Sequence, residues 1–162
     1  MKSLLKPCSG FIRMADYSLI DIKILPWSTA RKHAEPIRHT IFIQEQCVPE
    51  DMEWDELDDD AIHAIAFDSA GQALGYARLL PTKQLGRMAV YAEHRRKGIG
   101  SALLGALEDE AQKLHYDHIF LHAQIQALPF YEQHGYQSQA APFDEAGIPH
   151  LMMIKTLATK HE

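Results

Sequence analysis

The alternation of apolar and polar positions divides the chain into segments of two periods, one near 2 and one near 3.6 residues. In YSLIDIKIL, Tyr17 to Leu25, the positions Leu19, Ile22 and Ile24 predict a strand. Ser28 or Thr29 is a candidate helix N-cap, and Ile37, Ile41 and Phe42 share one face of a helix running to Gln46. Pro36 lies inside that helix and predicts a kink or an early break. The stretch EDMEWDELDDD, residues 50–60, is too polar for core and reads as a loop or a short exposed helix. Three strand-like segments follow, Ala61 to Asp68, Ala73 to Leu80 and Leu85 to Tyr91, with a turn at Ser69-Ala70-Gly71 between the first two.

After Gly100 the period changes. Ile99, Leu103, Leu107, Ala111 and Leu114 recur at helical spacing, Leu104 widens the stripe, and the run lasts to about His115. DHIFLHA, residues 117–123, reads as a buried strand. ALPFYEQH, residues 127–134, reads as a short helix with Pro129 in its first turn and Gly135 just past its end. Tyr136 to Ala140 and His150 to Thr156 complete the strands. The order β-α-loop-β-β-β-α-β-α-β-β predicts one α/β domain, a central mixed sheet flanked by helices, over residues 16–158. Residues 1–15 read as a flexible N-terminal extension.

Composition narrows the function classes. A chain of 162 residues can bury one proper core. No run approaches the roughly 20 apolar residues of a membrane span. MKSLLKPCSGFIRM has no sustained apolar stretch of the secretory kind, so the expected home is cytoplasmic. Cys8 and Cys47 form no CxxC pair, and Cys47 is expected to be a buried free thiol. A net charge of -6 argues against nucleic acid as main partner, since phosphate backbones need a wide basic surface. Ten histidines invite a metal. HExxH is absent, and His118 and His122 on one strand would stand roughly 13 Å apart, so no metal site is expected.

Against that acidic background, Arg95, Arg96 and Lys97 stand side by side before Gly98-Ile99-Gly100 and a helix. The first turn of a helix offers unpaired N–H groups and the positive end of its dipole, and glycine lets a ligand approach the backbone. The junction suits a phosphate. It is neither GxxxxGK[ST] nor GxGxxG, because position 103 is Leu103.

The remaining pattern, R-x-x-G-x-G at Arg95, Gly98 and Gly100 between the strand GRMAV and an amphipathic helix, resembles the GNAT superfamily of N-acetyltransferases. HAQIQALPFYEQHGY, residues 122–136, resembles the segment that carries that family's tyrosine, with Gln124 where many members have Asn. EQ-x-VPE-x-x-E-x-D from Glu45 to Asp55 and FDEAGIPH, residues 143–150, resemble its bacterial ElaA/YjcF-like branch.

The resemblance implies acetyl-CoA as acyl donor. Its pyrophosphate would sit on the N–H groups of Gly98, Ile99, Gly100 and Ser101, flanked by Arg95, Arg96 and Lys97, and its pantetheine arm along Met88, Ala89 and Val90, with Gln124 on an amide of the arm. Tyr131 would protonate the departing thiolate. A backbone N–H near Ala89 or Val90, turned outward by a bulge, would hold the oxyanion. Candidates for the general base are Glu45, Glu53, His63, His122 and His150, of which Glu45 and His63, flanking the acidic stretch, are preferred; a water chain with no direct base is the alternative. The expected acceptor is a small amine or peptide. The eight carboxylates of residues 50–60 read equally as an attractor for a cationic acceptor or as a solubilising loop. A non-catalytic acyl-CoA sensor and an enzyme using longer acyl groups or an oxygen acceptor are the rivals, and the sequence leaves a homodimer open.

Overall fold

The computed structural model describes residues 19–158, and the proposed extension, residues 1–15, lies outside the described residues. One mixed sheet runs through the molecule in the order β1-β2-β3-β4-β5-β8-β6, with β7 also paired to β8. Its strands are β1 (Asp21–Leu25), β2 (Ile62–Phe67), β3 (Ala73–Leu79), β4 (Gln84–Val90), β5 (His118–Gln124), β6 (Gln137–Ser138), β7 (Phe143–Glu145) and β8 (Ile148–Thr156). Every pairing is antiparallel except β4 with β5. The helices are α1 (Trp27–Arg38), α2 (Glu50–Glu53), α3 (Ile99–Lys113) and α4 (Leu128–Gln133).

Two apolar layers sandwich the sheet. The α3 stripe of Ile99, Leu103, Leu104, Leu107 and Ala111 is buried against residues such as Ala64, Leu85, Ile119 and Met153. On the opposite face Ala30, Ala34 and Ile37 of α1, with Ile41 and Phe42, meet Ile65, Phe67, Tyr76 and Ala89. Burial on both faces explains why β2 and β3 read as nearly unbroken apolar runs. In β5 only Ile119, Leu121 and Ala123 are buried, and the other face stays half open. The expected buried strand is therefore a one-sided one.

Several local expectations change. The first helix begins at Trp27 with Pro26 as its cap, not Ser28 or Thr29. Pro36 neither ends nor breaks it. Past Arg38 the hydrogen bonding widens into a π-helix, His39–Glu45, which carries the chain to Gln46 as expected. Cys47 is exposed and sits at φ 58, so it is not a core thiol. β7 has no counterpart in the sequence reading.

The largest correction concerns the acidic stretch. Glu53 and Asp58 are 2% and 5% exposed, inside the protein. Arg38, fully buried, donates from Nε to Glu53 Oε1 (2.6 Å) and from Nη1 to Asp58 Oδ1 (2.8 Å). Arg78 forks onto Asp55 with two bonds of 2.8 Å and also donates to Asp58 Oδ1 at 2.8 Å. Arg87 lies 3.3 Å from both Glu53 Oε2 and Asp55 Oδ2. Three carboxylates thus balance three guanidinium groups that come from a helix and two strands. A lone buried arginine would be prohibitive; a set matched in charge is tolerated, although Arg78 Nε and Arg87 Nε find no hydrogen-bond acceptor.

Candidate active site

The parallel pair β4–β5 is joined only at Gln84–Phe120 and Leu85–Leu121. Beyond Leu85 the two strands do not pair, although each runs on for several residues. Their divergence opens a cavity of about 860 Å³. Met88, Ala89 and Val90 line one side of it, and Leu121, His122 and Gln124 the other. The end of the π-helix supplies Glu45 and Gln46, α4 supplies Phe130 and Tyr131, and the β7–β8 hairpin supplies Glu145 and His150.

A bulge shapes the β4 wall. Tyr76 and Arg78 on β3 are two residues apart, but their partners Ala89 and Gly86 on β4 are three apart. The extra residue falls in Arg87-Met88, and Arg87 takes φ 51. The bulge therefore lies just before the expected Ala89–Val90 position. The arginine held in this unusual conformation is the one anchored by Glu53 and Asp55. The acidic stretch so acts as a clamp on the cavity wall, a role neither expectation for it included.

Beside the cavity, α3 starts at Gly98, φ 83 and ψ 6, with no side chain capping its first turn. A Cβ at Gly98 would meet nothing within 4 Å, so glycine is required there by backbone conformation, and the space in front is open. At Gly100 a Cβ would lie 3.3 Å from the Phe130 ring, whose side chain lines the cavity. Uncapped N–H groups, a left-handed glycine and open space fit the phosphate end of an acyl-CoA at Gly98, Gly100 and Ser101. Ile99 can offer only its backbone, since its side chain is core.

The basic triplet divides. Arg95 forks onto Glu45 (2.6 and 2.8 Å) and donates from Nε to the Val90 carbonyl at 3.0 Å. It is a strut between the π-helix and the end of β4. Arg96 and Lys97 are the exposed cations next to Gly98.

The preferred bases do not come together. Glu45 lines the cavity, but both its oxygens serve Arg95, whose hydrogen bonds hold its carboxyl below the usual range. His63 is wholly buried outside the cavity lining, between Trp27 and Tyr76. Its nitrogens meet the Tyr76 hydroxyl and the Asp58 carbonyl, each at 2.7 Å. Gln124 donates to Gln46 Oε1 (2.8 Å) and accepts from Gln126 (2.6 Å), bridging the cavity mouth. Tyr131 lines the cavity with its hydroxyl 3.9 Å from Met88 Sδ, and burial pushes its phenol up to about 12. Arg87 and Glu145 were not among the expected site residues. A lone arginine inside GRMAV is the signal for the first. For the second the signal is weak, a two-residue Ala146-Gly147 turn with Phe143 and Ile148 on either side.

Among the described residues no group of three or more His, Cys, Asp and Glu could hold a metal ion, and no helix is long and apolar enough to cross a membrane. Residues 29–157 match the family model for the acetyltransferase (GNAT) domain. The chain is 37% identical over 128 residues to the uncharacterized N-acetyltransferase YjcF of Bacillus subtilis, covering 76% of this chain and 91% of that one. It is 27% identical over 127 residues to protein ElaA of Escherichia coli, with 74% and 82% covered. Among solved structures, an acyl-CoA N-acyltransferase from Pseudomonas aeruginosa superposes with a TM-score of 0.75 at 26% identity, covering 85% of this chain and all 100% of that one. Crystalline Escherichia coli ElaA gives 0.75 at 23%, covering 85% and 99%, a likeness of fold. The split sheet, the uncapped glycine turn and the matched family model agree: the chain belongs to the GNAT acetyltransferases, in the ElaA/YjcF-like branch, and is an acyltransferase.

Proposed function

We propose that the enzyme uses acetyl-CoA to acetylate a primary amine of a small molecule or peptide, by direct transfer while both substrates are bound. The observation that carries this is the divergence of β4 and β5, because it leaves the β4 edge unpaired beside an uncapped helix N-terminus. Backbone groups of Met88, Ala89 and Val90 hold the pantetheine arm as a missing strand would be held. The first N–H groups of α3 receive the pyrophosphate, with Arg96 and Lys97 adding attraction. Arg95 contributes by fixing the turn. A β4 N–H freed by the bulge receives the oxyanion, and Tyr131 faces the departing sulfur as its proton donor.

The acceptor enters between the π-helix and the β7–β8 hairpin. Three of the eight carboxylates once read as an attractor are committed to arginines, so any pull on a cation falls to the other five of the stretch. Calorimetric titration with acetyl-CoA, with desulfo-CoA and adenosine as controls, tests the donor. Binding that needs the pyrophosphate is expected. Equal binding of adenosine alone, or none in folded protein, would refute the phosphate seat. Thiol release with a panel of primary amines then tests the acceptor class.

A further inference from the structure

His122, Glu145 and His150 come from three different strands and meet on the acceptor side of the cavity. Register explains the meeting. Gln124 pairs with His150 and His122 with Met152, so His122, Gln124 and His150 share the sheet face that lines the cavity. Phe143 pairs with His150 and Glu145 with Ile148, which carries Glu145 to the same face. The hairpin that presents Glu145 turns through only Ala146 and Gly147, at φ 54 and 76. That conformation is unusual for alanine, and the Asp144 carboxylate braces it by accepting from the Gly147 N–H at 3.0 Å.

The contacts sort the roles. Glu145 Oε1 lies 3.1 Å from His122 Nδ1. Its other oxygen lies 3.6 Å from His150 Nε2, while His150 Nδ1 donates to the Ile148 carbonyl at 2.6 Å. His150 Nδ1 is spent on that carbonyl and the residue is only 6% exposed, so it packs beside Glu145 rather than meeting a substrate. The Phe143 ring stands edge-on to His122 with centroids 5.0 Å apart and limits its rotation. A carboxylate accepts only, so His122 carries its proton on Nδ1. Its Nε2 then presents a lone pair, with no partner among the described residues.

We infer that His122 is the general base of the acyl transfer and that Glu145 positions its ring and fixes its tautomer. This rests on the acyl-transfer reading above. The other cavity carboxylates are spent: Glu45 on Arg95, and Glu53 between Arg38 and Arg87. In the step, an acceptor ammonium gives one proton to His122 Nε2, and the neutral amine forms the C–N bond. The C–S bond breaks with its electron pair on sulfur, and the Tyr131 hydroxyl supplies the proton that makes the thiol. The second amine proton restores the tyrosine as the amide forms. His122 passes its proton to solvent, and one proton is released per turnover.

The titratable and charged groups facing His122 are Glu145 and His150 at close range, with Glu53, Arg87 and the Glu45–Arg95 pair across the cavity. Two measurements on the intact chain test the inference. Nitrogen NMR of the imidazole ring should find the Nδ1–H tautomer in His122 at alkaline pH, and Glu145→Ala should abolish that preference. An Nε2–H tautomer in the unsubstituted protein overturns the dyad whatever the activity. In the kinetic arm, with benzylamine and hydroxylamine as acceptors and thiol release as readout, His122→Gln should lower kcat/KM for benzylamine about 100-fold. Hydroxylamine, largely unprotonated at neutral pH, should lose much less, and acetyl-CoA binding should not change. Glu145→Gln keeps an acceptor but drops the charge, so the acidic limb of kcat/KM should move to lower pH, which a packing role would not do. His118→Gln, on the same strand but outside the cavity, should change nothing. Equal losses for both amines, or an unmoved acidic limb, overturn the base. No thiol release from the unsubstituted enzyme with any amine defeats the acceptor reading, and the base with it.

Discussion

Replacing Tyr131 by Phe removes one oxygen and little else. The hydroxyl has a single contact, 3.9 Å to a thioether sulfur, which is a weak acceptor. No buried partner is orphaned, so stability should change by less than about 1 kcal/mol. The effect on turnover follows from the phenol's acidity. Burial raises it to about 12, against about 8.5 for a free thiol. Handing a proton to a fully formed thiolate is then uphill by roughly 5 kcal/mol, at 1.36 kcal/mol per unit. Tyr131 can complete the transfer only while the amine's second proton is being returned to it. Until then it acts as a hydrogen-bond donor to the growing charge on sulfur. A donor so limited should be worth the lower end of the general-acid range, about 100-fold in kcat, or about 2.7 kcal/mol of barrier.

The assay is single-turnover thiol release at saturating acetyl-CoA, with calorimetric Kd measured alongside. Kd should hold within about twofold, as suits a group that acts in the transition state. The same burial makes a second statement. The phenol stays protonated at any working pH, so no basic limb below about pH 11 should originate from it. A basic limb near pH 9 or 10 that vanishes in Tyr131→Phe would refute the burial argument. An unchanged single-turnover rate would remove Tyr131 from the chemistry.

Three further outcomes follow from the same geometry. Gly98→Ala forces a Cβ into φ 83 and should cost about 1 kcal/mol while weakening acetyl-CoA binding, whereas Gly105→Ala, inside α3 with nothing within 4 Å, should raise stability; urea melts of both variants read the opposite signs. Asp58→Ala strips a shared acceptor from Arg38 and Arg78 and should destabilise by about 3–5 kcal/mol in the same melts, and a loss under 1 kcal/mol would show the network to be ornamental. Burial opposes the Asp55 charge, but the fork from Arg78 outweighs it and holds the carboxyl at about 2, against 3.8 when free. The folded value is the lower one, so this stabilisation is whole above about pH 4 and lost as pH falls towards 2, and Asp55→Asn should flatten that part of the acid melt.

Periodicity exposed most of the fold because the sheet is covered on both faces. Ile99, Leu103, Leu107 and Ala111 form one stripe, and each is buried, whereas Leu114, expected in the same stripe, caps the helix and is 48% exposed. The left-handed glycine turn before α3 and the short helix that carries Tyr131 were legible through local motifs whose residues sit together in the chain. What escaped is non-local. EDMEWDELDDD reads as solvent-loving until Arg38, Arg78 and Arg87 are placed beside it, and those lie 15 to 34 residues away from their partners. The clue was there in reverse: Arg78 within YARLL and Arg87 within LGRMAV are cations in apolar strands, and each demands a carboxylate. Glu145 escaped because β7 spans three residues, too few to show alternation. His63 was chosen for its place next to the acidic stretch, yet its strand neighbours turn it to the α1 side, between Trp27 and Tyr76.

The basic triplet shows how one motif can hold two functions. Of its three cations, one is neutralised by Glu45 and pinned to the Val90 carbonyl. If Arg95 instead served the phosphate, Glu45 would be left as a bare charge on the cavity rim and the turn would lose its tie to β4. On the reading proposed above, committing Arg95 to structure leaves the phosphate to backbone N–H groups that need no reorganisation when the ligand arrives. The same division recurs at the bulge, where Arg87 is held by Glu53 and Asp55. In both places an ion pair outside the chemistry fixes backbone beside it. The side chains left to act, Tyr131 and His122, face the cavity from α4 and β5, away from either pair.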